Sequence, residues 1–114
     1  MHELSIAQGI LELVEEQVRR RSLSSVEEVE IDVGRLAGVE TQALTIAIEC
    51  VARNTVMENA RIVRNDIEGE GLCGDCGRCF VIEELFAPCP DCGSCAVRVV
   101  KGKELRVKSI LSNK

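Results

Sequence analysis

The chain has no tryptophan and no tyrosine, and its only aromatic residues are Phe80 and Phe86. A platform on which bases stack cannot be built from that stock, and the core must be aliphatic. Positive charge is also in short supply. Lys and Arg total 14 against 19 Asp and Glu, a net charge of −5, which argues against a chain built to neutralise phosphates. Between residues 69 and 101, five acids (Glu70, Asp75, Glu83, Glu84, Asp91) outnumber three bases (Arg78, Arg98, Lys101), whereas a zinc ribbon used on nucleic acid is basic. No apolar run approaches membrane-spanning length. The amino terminus lacks a basic region, and Glu3, Glu12, Glu15 and Glu16 interrupt any signal-like stretch. There is no phosphate-binding loop, no nucleophile–base pair and no paired carboxylates in a credible site, so the reading is a binding protein and not an enzyme.

What the chain does have is seven cysteines. With no export signal, they point to a reduced, cytoplasmic protein whose thiols bind metal. Four of them stand as Cys73-Gly-Asp-Cys76-Gly77 and Cys89-Pro-Asp-Cys92-Gly93, with twelve residues between Cys76 and Cys89. Two Cys-x-x-Cys pairs so separated can bring four thiolates to one tetrahedral zinc ion. Structural zinc contributes about 10–16 kcal/mol to the folding of such small modules, which an aromatic-poor segment needs. Cys79 and Cys95 follow at matching points of the two knuckles. Six thiols offer alternative ligand sets, but the plainer reading packs these two as small apolar residues. Cys50 reads the same way.

The remaining pattern is α+β. Residues 3–21 predict an amphipathic helix with Leu4, Ala7, Leu11, Val14 and Val18 inward and Ile10 widening the stripe, acid early and base late. Val29, Ile31 and Val33 alternate with Glu28, Glu30 and Asp32, a strand with one wet face. Residues 41–56 predict a second helix, with Leu44, Ala47, Ile48, Val51 and Ala52 inward. Strands follow at 60–67 and 104–110. The expected fold is two helices packed on a small three-stranded sheet, with a zinc-ribbon-like minidomain inserted. Residues 1–69, completed by strand 104–111, form one domain and residues 70–103 the other. Within the second, 80–82 and 96–100 read as short strands.

His2 is the only histidine and stands beside the terminal amine. An amine, a deprotonated amide and an imidazole can close small chelate rings around one ion, and such planar, nitrogen-rich donation suits Ni(II) or Cu(II). Glu3 could add an oxygen or orient the imidazole.

Met1-His2-Glu3-Leu4-Ser5, Val33-Gly34, Leu36, Val39-Glu40, the two knuckles followed by Ser94, and Gly102-x-Glu104-Leu105-x-Val107 occur in that order. Together they resemble the HypA/HybF family of hydrogenase nickel-incorporation proteins across essentially the whole chain. The resemblance implies nickel bound at Met1, His2 and Glu3, structural zinc at Cys73, Cys76, Cys89 and Cys92, and action as a monomer or weak homodimer. It also implies work with a HypB-type GTPase and delivery to the large-subunit precursor of [NiFe]-hydrogenase, with urease as a second destination. Cys79 and Cys95 depart from the pattern, and no second histidine is present to assist either metal. Two alternatives share the cysteines. A zinc-ribbon interaction module would need a basic or aromatic surface. An iron–sulfur protein would need a tighter final spacing than the nine residues between Cys79 and Cys89.

Overall fold

The computed structural model describes residues 2–112. The elements run α1 (Glu3–Arg21), β1 (Glu28–Gly34), α2 (Thr41–Ala52), β2 (Arg61–Ile67), β3 (Glu70–Cys73), β4 (Cys79–Val81), β5 (Val97–Lys101) and β6 (Leu105–Leu111). They form two three-stranded sheets, ordered β2-β1-β6 and β4-β3-β5. The chain divides into two compact units, one of residues 1–32, 39–65 and 106–114, the other of residues 33–38 and 66–105.

In the first unit, α1 and α2 pack together. Helix α1 starts without a side-chain cap and closes on Ser22 in the left-handed conformation, with Arg19, Arg20 and Arg21 in its last turn. Its buried residues are Glu3, Ala7, Ile10 and Val14. At about 100° per residue these four cluster on one stripe, and Leu4 falls roughly a quarter-turn away. Leu4 is accordingly exposed, and Leu11 and Val18 are half-buried rather than central. The charged Glu3 takes the place expected of Leu4 because its carboxylate has a partner, described below. Helix α2 buries Leu44, Ile48 and Ala52 and ends at Ala52, four residues earlier than expected. Turns then bring Met57 into the core, where it is 1% exposed. Cys50 is exposed, not buried. It lies beside Glu49 on the outer side of α2, away from the Leu44–Ile48–Ala52 stripe.

The central strand β1 supplies Val29 and Ile31 to this core, both nearly inaccessible. Its alternate residues meet flanking strands. Asn65 donates to Glu30 (2.7 Å) and Asp32 (3.0 Å), and Arg106 Nε donates to Asp32 at 3.0 Å. Asp32 is therefore buried on a face expected to be wet. A buried carboxylate is tolerated when it is hydrogen-bonded and paired.

In the second unit, β3 pairs antiparallel with β4 (Gly71 opposite Phe80) and with β5 (Gly71 opposite Val99), with an irregularity between Glu70 and Gly71. Strand β3 adds to the strands expected at 80–82 and 96–100. Gly71 is buried there because Val97 and Ile82 close over it, leaving no room for a side chain. Four segments are joined backbone to backbone: Gly34 N–H donates to the Glu104 carbonyl (2.6 Å), Leu36 N–H to Gly102 (2.8 Å), and Ile82 N–H to Gly69 (3.0 Å). Phe86 adopts φ 67°, a left-handed conformation that costs a non-glycine residue about 1–2 kcal/mol.

Candidate metal centre

Each knuckle is built by the same local rule. Cys73 N–H donates to the Arg78 carbonyl at 2.9 Å, and Cys89 N–H to the Ser94 carbonyl at 2.9 Å. Gly77 and Gly93 turn back at φ 77° and 73°, and their N–H groups reach the Cys73 and Cys89 carbonyls at 3.0 and 2.9 Å. A side chain is disfavoured at both positions, which is why glycine follows each second cysteine. The turn aims amides at sulfur: Asp75 and Cys76 N–H groups lie 3.4 and 3.5 Å from Cys73 Sγ.

The two knuckles face one another. Cys73 Sγ is 3.5 Å from Cys92 Sγ and Cys76 Sγ is 3.6 Å from Cys89 Sγ. All four sulfurs lie within 4.8 Å of each other. A tetrahedron of Zn–S bonds of about 2.3 Å has edges of about 3.8 Å, so the donor set fits zinc in size, number and softness. Cys73 and Cys89 are buried, and Cys76 and Cys92 are exposed.

The thiols titrate far apart. The Cys76 and Asp75 N–H groups bring Cys73 down to about 6. The Cys92 N–H, with that of Asp91, lowers Cys89. Cys76 is raised: the Arg78 N–H pulls it down, but partial desolvation of its sulfur and the thiols of Cys89 and Cys73 outweigh that pull. Cys92, although the Ser94 N–H lowers it, is pushed up to about 12 by the Cys73 thiol, burial and the other two sulfurs. Four sulfurs this close cannot all ionise on their own, and a divalent cation removes that conflict.

Beyond the ligands, the knuckles exchange side-chain bonds reciprocally. The aspartate two residues after the first cysteine of each knuckle meets the residue five after the first cysteine of the other: Asp75 with the Ser94 hydroxyl, Asp91 with the Arg78 guanidinium. Sequence reasoning missed these pairs. The repeated Asp in Cys-x-Asp-Cys was the available signal. Cys79 and Cys95 are exposed and lie outside the four-sulfur group, contrary to the reading that packs them as small apolar residues. Among the described residues, Cys73, Cys76, Cys89 and Cys92 form the one group of three or more candidate ligands gathered around a point.

At the other candidate site, Met1 lies outside the described residues. His2 occupies the N-cap of α1 and is exposed, and its carbonyl accepts from Ile6 N–H at 3.0 Å. Glu3 is buried, with its Oε2 accepting the Glu40 N–H at 3.1 Å. Glu40 in turn caps α2, its carboxylate accepting the N–H groups of Gln42 and Ala43. No helix among the described residues is long and apolar enough to cross a membrane.

An α+β unit joined to a two-knuckle, four-thiolate unit defines a small metal-binding protein of zinc-ribbon type. The family model described as "Hydrogenase/urease nickel incorporation, metallochaperone, hypA" matches residues 1–112. The "Hydrogenase maturation factor HypA" of Parabacteroides distasonis is 54% identical over 114 residues, covering 100% of this chain and 99% of that protein. Its namesake from Cereibacter sphaeroides is 43% identical over 110 residues, covering 96% and 97%. The solution structure of the nickel metallochaperone HypA from Helicobacter pylori superposes with a TM-score of 0.72 at 25% identity, over 98% of this chain and 97% of that one. The chain belongs to the HypA family of nickel metallochaperones, the hydrogenase maturation factors.

Proposed function

We propose that this chain binds Ni(II) at its amino terminus and hands it to the [NiFe]-hydrogenase large-subunit precursor, with urease as a second destination and a HypB-type GTPase as working partner. The observation that carries the reading is the exposed His2 at the very start of α1 in a chain of this family. Nickel is cargo here, so an exposed nitrogen-rich site that exchanges ligands is what the task requires. Met1 contributes the terminal amine, and His2 its imidazole and amide nitrogen. Glu3 contributes backbone or carboxylate donors, its Oε2 also accepting the Glu40 N–H. Zinc at Cys73, Cys76, Cys89 and Cys92 is structural. Residues 1–69 with strand 104–111 serve as the nickel domain and residues 70–103 as the zinc domain. The protein is a cytoplasmic carrier without catalysis of its own, working as a monomer or weak homodimer, and nucleotide hydrolysis belongs to the partner.

The test is nickel titration of untagged, zinc-loaded protein beside His2→Ala and an amino-terminally extended version, read by calorimetry and the visible band of planar Ni(II). Wild type binds one nickel with that band, and both variants lose it. Equal binding by all three overturns the assignment.

A further inference from the structure

Phe86 is one of two aromatic residues in the chain, and it is 96% exposed. Its neighbour Leu85 and nearby Val81, on β4, are 43% and 55% exposed. A Phe so placed gains nothing from its own fold, yet its backbone is held in the left-handed region at φ 67°. Strain of that kind, unrelieved by packing, motivates a functional reading.

The loop is short and anchored at both ends. Ile82 is 3% exposed and its N–H is bonded to Gly69, and Cys89 is held in the four-sulfur centre. Only six residues, 83–88, span these fixed points. The anchors at Ile82 and Cys89 thus limit how far the loop that carries the ring can move, which lowers the cost of ordering its backbone on contact. Charge states what it would meet. Glu83 and Glu84 stand directly beside Leu85-Phe86, and no Lys or Arg lies between residues 79 and 97; the third acid of that stretch, Asp91, is paired with Arg78. An acid-flanked aromatic fits an apolar pocket rimmed by Lys or Arg. It is repelled by an anionic lipid surface and by a second copy presenting the same loop.

We propose that the 83–88 loop is a docking finger whose Phe86 tip enters an apolar, basic-rimmed pocket on a protein of the hydrogenase-maturation machinery. The proposal rests on the carrier reading for its choice of partner. A buried aromatic anchor dominates affinity at such contacts, while rim charges act mainly on the association rate.

The experiment measures binding of full-length, zinc-loaded protein to the cognate purified GTPase and, separately, to the purified hydrogenase large-subunit precursor. Phe86→Ser weakens one of these contacts at least tenfold, and Phe86→Leu restores part of it. Glu83→Gln with Glu84→Gln slows association and flattens its salt dependence. Zinc content and circular dichroism stay as in wild type. Undiminished binding of Phe86→Ser to both proteins overturns the proposal, as does wild type that binds neither. A wild-type dimer dispersed by Phe86→Ser in sedimentation assigns the tip to a second copy and overturns it. Binding to vesicles of phosphatidylglycerol and phosphatidylcholine, lost in the same variant, overturns it in favour of a membrane. Nickel titration of the same wild-type sample separates the two readings. Phe86-dependent docking without nickel uptake keeps the finger and removes the carrier. Nickel uptake with Phe86-independent docking does the reverse.

Discussion

The carboxylate of Glu3 accepts the backbone N–H of Glu40 at 3.1 Å, and Glu40 itself caps α2. The residue that follows His2 thus ties the start of one helix to the start of the other. On the proposed nickel reading, the Met-His-Glu stretch has two duties that a mutation can separate. Glu3→Gln keeps an acceptor oxygen and the backbone nitrogen, so it retains the planar nickel band and loses only some thermal stability. Glu3→Ala removes the acceptor and lowers the melting temperature further, leaving the part-buried Glu40 N–H at the head of α2 without that partner. His2→Ala, at an exposed position, leaves the melting temperature unchanged and removes nickel. Loss of the nickel band in Glu3→Gln would show the carboxylate to be a donor.

The four-cysteine cluster is the part of the fold most legible in the sequence, and the reason is chemical. Cys-x-x-Cys-Gly is a local instruction: the amide-to-sulfur turn and the left-handed glycine lie within five residues, so spacing alone predicts them. The bonds of Asp75 to Ser94 and Arg78 to Asp91 cross between knuckles 19 and 13 residues apart. Nothing local specifies them. The same divide runs through the fold. Helix α1 was legible from its period, but which part of the stripe is central depended on Glu3 finding Glu40, 37 positions away. Asp32 looked like an exposed strand residue because its partners Asn65 and Arg106 come from other strands. Strand β3 was hidden because Gly71, which usually weakens a strand, is required where Val97 and Ile82 close over it.

Both helices lie in the unit that lacks the cysteine centre. Stripping zinc with a strong chelator under reducing conditions is therefore expected to abolish the ordered signals of β3, β4 and β5. Ellipticity at the helix band, which reports α1 and α2, is expected to persist. Collapse of the helical signal together with zinc would show the units to be one cooperative body. Asp75→Ala and Asp91→Ala are each expected to lower zinc affinity less than tenfold. Such exposed pairs are individually weak, with Arg78 and Asp91 half-exposed, and the double variant is expected to lose about tenfold. Competition against a chromophoric chelator measures both.

Acid should act through the face of β1. Asn65 hydrogen bonding lowers the Asp32 and Glu30 carboxyls, with Arg106 assisting the first and Ser109 and Lys108 the second. A carboxyl lowered by folding adds stability that is complete above its unfolded value, about 4. That stability is lost as pH falls through the lower, folded value. Melting temperature is expected to be flat from neutrality to about pH 5 as far as these groups decide it, and to drop below about pH 4. Asn65→Ala lowers the neutral melting temperature and makes the acid drop shallower. An acid profile unchanged by Asn65→Ala would remove this network as its cause.

Two glycine-to-alanine substitutions should move stability in opposite directions. At Gly34 an added Cβ would lie 2.0 Å from the Gly102 carbonyl oxygen and 2.8 Å from the Glu104 nitrogen. Those are backbone atoms, and Gly34 N–H is also bonded to the Glu104 carbonyl, so neither side can move without breaking the junction. Overpacking of this kind costs about 1–3 kcal/mol, and the rigid neighbours put Gly34→Ala at or beyond the upper end. Gly9 lies inside α1, is exposed, and has no atom beyond its own stretch of helix backbone within 4 Å of the place its Cβ would take. There the alanine meets nothing and narrows the unfolded chain, so Gly9→Ala should stabilise by about 0.5–1 kcal/mol. Urea denaturation of the two variants beside wild type tests both signs at once. A tolerated Gly34→Ala would mean that the Gly34–Gly102 approach is looser than its hydrogen bonds require.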